Sequence, residues 1–409
     1  VIVGTEIACL IFISSSQGYH QTCGGIMIMM IRIERDELGA VEVPAYAYYG
    51  IQTLRAAEVY PTAGTPVHQA FIAAMANVKI AAAKANLEIG ALPQRIGNLI
   101  VQAAEEILRG KHSKHFIADC SQTASGDILN TNMNEVLANR VLEFLLEDKG
   151  NYGVVNPELH ANLGQTSNGV MSASLQIAAY RLTQDLIKSL QELITELLYK
   201  KEPLDQLQTP EISMYHSGAP LWLSRQFEDY RQCIQSDMTR LDKAVSQMNT
   251  ICLNSAAMGR QPDHHSGFNE RATSHLQELT QIELFASKSG EPSYHVVVEL
   301  SSALKGLAVD LSKLCSDIRL GASLEQIDIH PTNGIVHEKA VSLSQSAFQV
   351  MGLDHSISLA AEIGMPDRNA IPPIIIYNVM ESLSLLINGI QSFTLGARGN
   401  SNSSSPVFR

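Results

Sequence analysis

The chain of 409 residues is poor in aromatic side chains, which make up 6% of it and include one Trp. Hydrophobic residues reach 45% and are mainly Ala, Leu and Ile, a balance that favours long packed helices over a β-sandwich. Positive charge is also scarce. The net charge is −12 with no dense basic run, which argues against nucleic acid as a partner, since phosphate contacts need clustered Lys and Arg. The six cysteines Cys9, Cys23, Cys120, Cys233, Cys252 and Cys315 form no C-x-x-C pair and no cluster with His, so neither a zinc site nor a disulfide framework is expected. Scattered thiols suit a reducing, cytoplasmic setting. The apolar run Ile7–Ile13 is too short to span a bilayer and follows Glu6 rather than basic residues, so no membrane partner and no secretory signal are expected. Neither a Walker nor a Rossmann glycine loop is present, no short period repeats, and no cofactor is implied.

What is there is helical periodicity. Residues 31–65, with Pro44, Gly50, Pro61 and Gly64, read as loops and short strands. Apolar spacing of three and four then begins at Phe71, Met75, Val78 and Ala82 and stops near Gly90. Further helices are predicted from Pro93 to Gly110 and from about Asn132 to Glu147. After Asn168 the periodic segments lengthen: the stripe Leu175, Leu182, Leu186, Leu190, Leu193 and Leu197, then Leu221–Leu253, Tyr294–Leu320, Val341–Ile363 and Pro373–Phe393. Long helices side by side imply a bundle, and their broad apolar stripes imply burial against more than one neighbour, including other copies of the chain.

Several motifs carry more information. Arg32-Ile33-Glu34-Arg35-Asp36-Glu37-Leu38-Gly39, Val43-Pro44 and Ala47-Tyr48-Tyr49-Gly50-Ile51-Gln52-Thr53-Leu54-Arg55-Ala56 follow one another at the start. Asn130–Arg140 ends in Asn-Glu-Val-Leu-Ala-Asn followed by Arg140, and Val155-Asn156-Pro157, His160, Asn162 and Gln165-Thr166-Ser167-Asn168 come next. Ser302–Val309, Asp317–Leu320, Ala347–Gly352 and Ala360-Ala361-Glu362 complete the series. In this order they resemble the aspartase/fumarase superfamily over residues 31–393, and Tyr49 and Ile51 favour its aspartase branch. The resemblance implies an all-α, long-helix bundle with a mixed N-terminal domain, assembled as a homotetramer whose sites draw on three subunits. It divides the chain into an extension over residues 1–30, an N-terminal lyase domain over 31–165, a helical-bundle domain over 166–395 and a tail over 396–409. The family's small C-terminal domain has no counterpart.

The implied reaction is elimination. A base removes a proton from the carbon beside a carboxylate, ammonia leaves the adjacent carbon, and surrounding donors hold the doubly charged aci-carboxylate intermediate. The expected ligand is a small dicarboxylate or amino acid, with L-aspartate first. Thr166, Ser167 and Asn168 stand where a long helix starts, which suits a carboxylate, although N-capping explains the same residues. The family's next residue, Asp, is Gly169 here. Asp127 stands where relatives carry Thr or Ser; an ionised carboxylate there repels a dianion, or else caps a helix. The family's orienting His falls at Met214, leaving His216, two residues on, as its substitute or as a packing residue. The base loop lies over Pro331–Lys339, with Lys339 at its Lys and Gly334 at its base Ser. Gly334 has no side chain to accept a proton, so His337 or Glu338 takes that role, or the loop is inert. His112 with His115, and His264 with His265, lack the partners of a metal site.

Overall fold

The computed structural model describes residues 22–23, 26–27, 30–59, 64–120, 127–201, 208–210, 220–254, 267–287, 295–323, 334–362 and 373–398. His216, Ser125-Gly126, His264-His265 and Pro331–Asn333 lie outside these residues. The chain falls into two compact units, Val1–Ser174 with Ile251–Glu291, and Leu175–Thr250 with Pro292–Arg409. Helices dominate both, as the composition and the periodicity anticipate.

After a two-residue strand pair, Thr22–Cys23 with Ile26–Met27, the first unit has an antiparallel hairpin, β1 (Ile31–Asp36) and β2 (Gly39–Pro44), in register from Ile31 opposite Pro44 to Asp36 opposite Gly39. Gly39 has φ +119°, and Asp36 Oδ1 accepts the Leu38 N–H at 2.9 Å, so the tight turn is made by the residues that suit it. The next element corrects the reading of 31–65 as loops and strands only: Ile51–Val59 is a helix, α1. Its nine residues are too few to show convincing periodicity, and its first turn is held from outside. Four consecutive N–H groups at its start are met by two carboxylates. Glu135 accepts from Gly50, Gln52 and Thr53 at 2.7, 2.9 and 3.2 Å, and Glu34 accepts from Ile51 at 2.8 Å. These are the donors a helix leaves unpaired, and an anion there also meets the positive end of the dipole. Burial pushes the Glu135 carboxyl pKa up against these donors. Arg32 ties Glu34 to the carbonyls of Pro44, Ala47 and Tyr49. A Cβ at Gly50 would collide with the Tyr152 hydroxyl and the Glu135 carboxylate, so glycine is required between them.

Helix α2 (Gln69–Glu88) is buried on nearly every side from Phe71 to Asn86. His68 caps its start, accepting the Ala70 N–H at 3.1 Å, and Gly90 at φ +72° ends it. It packs on α3 (Gln94–Leu108) and α7 (Phe268–Thr280), with α4 (Asp127–Phe144) also in contact. Helix α4 begins five residues before the predicted Asn132, because Asn130 and Asn132 are polar yet face inward and so break the apolar pattern. A single π-helical turn, Pro157–Ala161, leads to α5 (Ser167–Lys201), which runs from the first unit into the second.

The second unit is a helical bundle of α5 with α6 (Leu223–Ser246), α8 (His295–Ser323), α9 (Gly334–Glu362) and α10 (Pro373–Arg398). Helix α9 packs between α8 and α10. Apolar residues such as Leu304, Leu311, Leu343, Val350, Leu383 and Leu386 fill its core. The buried Asp354 joins α9 to α8, accepting from Ser301 Oγ at 2.7 Å and Lys305 Nζ at 2.6 Å. Helix α10 is long and apolar enough to cross a membrane by length and composition, but Ile376, Val379, Met380, Leu383, Ile390 and Phe393 are buried within the bundle.

Candidate active site at the start of helix α5

Thr166 is the residue just before α5, and its hydroxyl is fully engaged. Its Oγ1 accepts the Gly169 N–H at 3.1 Å, which is N-cap geometry, and lies 3.4 Å from the Leu253 carbonyl as a donor. The Thr166 N–H donates to the same carbonyl at 2.8 Å. Of the two roles left open for this residue, the structure displays the cap. The N–H groups of Ser167 and Asn168 differ: no described residue accepts from either, and both residues are half-buried. Free N–H groups at a helix start suit an anion.

Gly169 is more than a lost Asp. A Cβ there would sit 2.5 Å from the Cys252 carbonyl oxygen and 2.8 Å from Leu253 Cα, so the chain returning from α6 passes through the space a side chain would need. That return is fixed by Asn269, whose Oδ1 accepts the Leu253 N–H at 2.9 Å and whose Nδ2 donates to the Ile251 carbonyl at 3.3 Å.

Behind Ser167 lies a buried polar chain. Asn130 Nδ2 donates to Ser167 Oγ at 3.0 Å and to Asn162 Oδ1 at 3.1 Å. Asn162 Oδ1 also accepts from Lys79 Nζ at 2.9 Å, and Lys79 donates to Gln165 Oε1 at 3.0 Å. Asn162 Nδ2 donates to Glu158 Oε2 at 3.0 Å. Lys79 is 1% exposed, and burial draws its pKa down to about 7 against the opposing pull of Glu158. The sequence reading missed Lys79. The available signal was its setting: Val78-Lys79-Ile80 sits in a helix with apolar residues all round, which leaves a lysine no wet face.

The remaining predicted residues are placed as follows. Asp127 is the exposed first residue of α4, where a carboxylate suits the helix dipole. Gly334 is the first residue of α9, and Lys339 stands in that helix's second turn, its stem against α10 where a Cβ on Gly396 would lie 2.5 Å from Lys339 Cδ. His337 and Glu338 are exposed on the same helix. His112 and His115 belong to a separate network. His112 Nε2 lies 2.8 Å from Glu106 Oε2, and His115 Nδ1 accepts the Tyr48 N–H at 3.2 Å. Arg140 holds Glu106 through bonds of 2.7 and 2.9 Å and keeps its pKa down at about 2, while burial lowers that of His115 to about 4. These groups bind one another.

Known proteins share this architecture. The sequence profile of the Lyase family matches residues 39–339. Aspartate ammonia-lyase of Bacillus subtilis is 32% identical over 379 residues, covering 89% of this chain and 80% of that protein. Fumarate hydratase class II of Thermosynechococcus vestitus is 31% identical over 388 residues, covering 89% and 81%. The crystal structure of a fumarate lyase:delta crystallin from Brucella melitensis superposes with a TM-score of 0.82 at 29% identity, over 89% of this chain and 87% of that one. With a family match over most of its length and relatives above 30% identity along nearly all of it, the chain belongs to the aspartase/fumarase superfamily of lyases.

Proposed function

We propose that this lyase binds a small dicarboxylate, with L-aspartate as first choice, at the start of α5, and that its elimination chemistry is impaired or altered. The observation that carries the binding half is the pair of N–H groups at Ser167 and Asn168 that no described residue accepts from, beside the Ser167 hydroxyl. Together they offer one carboxylate several donors, with Thr166 acting as the cap that keeps the turn in place. The other half rests on Gly334, which falls where the family resemblance expects a serine base and has no group to accept a proton. With a base supplied, the Cβ–H proton would go to that base, the electron pair would form the double bond, and ammonia would leave with the C–N electrons to give fumarate. Two aspartase-type and fumarase-type relatives at similar identity leave malate as the related substrate to compare.

Gly334 also favours a second reading, a family member without catalysis that serves a structural or regulatory role in a homo- or hetero-tetramer. Exposed Val309, Phe348 and Leu359 on α8 and α9 support assembly with further copies. A reducing cytoplasmic location fits the scattered thiols. Incubating purified protein with L-aspartate and with malate, and following fumarate by its ultraviolet absorbance, separates the readings. A rise abolished by Lys339→Ala supports the lyase. Its absence across pH and divalent-metal conditions removes the lyase reading, and native mass spectrometry of mixtures with an active paralogue then tests the second.

A further inference from the structure

We propose that Lys79 is a positioning residue which, with Glu158, sets the direction of the hydrogen bonds running through Asn162 and Asn130, so that the Ser167 hydroxyl points its proton at a carboxylate bound before α5. The inference rests on the reading of that helix start as a carboxylate site.

The argument is one of donors and acceptors. Below its pKa Lys79 is an ammonium with donors only, so in that form the atoms it faces, Asn162 Oδ1 at 2.9 Å and Gln165 Oε1 at 3.0 Å, must be oxygens. An ionised carboxylate has acceptors only, so the atom facing Glu158 Oε2 at 3.0 Å must be the Asn162 amide nitrogen. Asn162 is thus held the same way round from both edges. Its oxygen in turn obliges Asn130 to present nitrogen at 3.1 Å, and the second hydrogen of that nitrogen goes to Ser167 Oγ at 3.0 Å. A hydroxyl that accepts on its inner side keeps its single proton for another partner, and no described residue takes it. The Gln165 amide is fixed by the same ammonium, and its nitrogen donates to the Ala161 and Leu163 carbonyls at 3.1 and 3.3 Å, which steadies the residue directly before Thr166. Asn130, Asn162 and Lys79 are all buried, so water does not readily replace these three, whereas Glu158 closes the chain at an exposed position. If the amides turned over, Ser167 would donate inward and present only lone pairs to an anion.

Calorimetric titration with succinate, which binds without reacting, tests the proposal on the full-length protein. Lys79→Met is expected to weaken binding about tenfold, and Lys79→Met with Glu158→Gln further, the scale of one hydrogen bond to a charged group. In a Ser167→Ala background, Lys79→Met is expected to change affinity less than about twofold, because the lysine acts through that hydroxyl. A Lys79→Met protein that melts lower but binds succinate as tightly as wild type overturns the proposal, as does a full tenfold loss in the Ser167→Ala background. Neutron diffraction on unliganded wild type gives a second arm that needs no ligand and no variant. Deuterons of Asn130 directed at Ser167 and Asn162 support the proposal, and an Asn130 oxygen facing Ser167 overturns it whatever the binding result. Wild-type protein that binds no succinate instead overturns the carboxylate reading of the helix start.

Discussion

Two helix starts in the first unit solve the same problem in opposite ways. At α1 the unpaired N–H groups are consumed by Glu34, which Arg32 anchors, and by Glu135, carboxylates that the protein itself supplies. At α5 only the Gly169 N–H is consumed by the Thr166 cap, and the donors of Ser167 and Asn168 have no described acceptor. Similar backbone chemistry therefore makes a structural joint in one place and a receptive end in the other. The difference lies in whether a built-in anion fills the position.

The largest way to break this comparison is to empty the α1 end. Glu135→Ala strips the carboxylate from three N–H groups, those of Gly50 and Thr53 being buried, and is expected to lower unfolding free energy by about 3–5 kcal/mol in denaturant titrations. A loss under about 1 kcal/mol would mean that the carboxylate is no structural anchor. Next is Gly169→Ala, whose Cβ meets backbone rather than a movable side chain; about 2–3 kcal/mol of destabilisation is expected, with weakened succinate binding as the Leu253 turn is pushed off the helix start. A Gly169→Ala protein of unchanged stability and affinity would show that the close approach is dispensable.

Lys79 gives a pH-dependent contrast. Its folded pKa of about 7 lies below the ordinary value of 10.5, so between those limits the unfolded chain holds more of this proton than the folded one. Unfolding free energy should therefore rise with pH through that window, by up to about 1.4 kcal/mol per pH unit, relative to Lys79→Met. Parallel stability curves for the two proteins from pH 7 to 10 would refute the burial of a titrating amine. The smallest effect sharpens the roles within the α5 turn. Thr166→Ala should remove about 1 kcal/mol of stability and alter succinate affinity little, whereas Ser167→Ala should do the reverse. An affinity loss as large for Thr166→Ala as for Ser167→Ala would return the threonine to the binding role that the sequence left open.

Much of the fold was legible because the long helices keep their apolar spacing. The stripe from Leu175 to Leu197 falls within α5, and Pro373 opens α10 as expected. Elements held by polar tertiary contacts were not legible. Helix α1 depends on carboxylates outside it, Glu34 in the preceding hairpin and Glu135 far along the chain, and the start of α4 is masked by inward-facing asparagines. The opening motif around Arg32, Glu34 and Gly50 identified the family, yet its residues join a hairpin to α1. Around the candidate site, sequence located the Thr166–Asn168 turn but gave three adjacent polar residues equal standing. Recognising Thr166 as the cap required knowing that Leu253 comes back to it. Lys79 was overlooked because a lone lysine in a helix ordinarily marks a solvated face, and α2 has none at that position.

That returning strand has a consequence for how the protein comes into being. Thr166 and Leu253 are 87 positions apart, and the intervening chain builds α6 and most of α5 in the second unit before coming home. Closing so long an excursion is entropically slow compared with local helix formation. On a ribosome, the turn at Thr166 will have emerged seconds before the segment that completes it. Competence to take up a ligand should therefore lag behind the making of that helix start, waiting until Leu253 has followed it out and closed on Thr166.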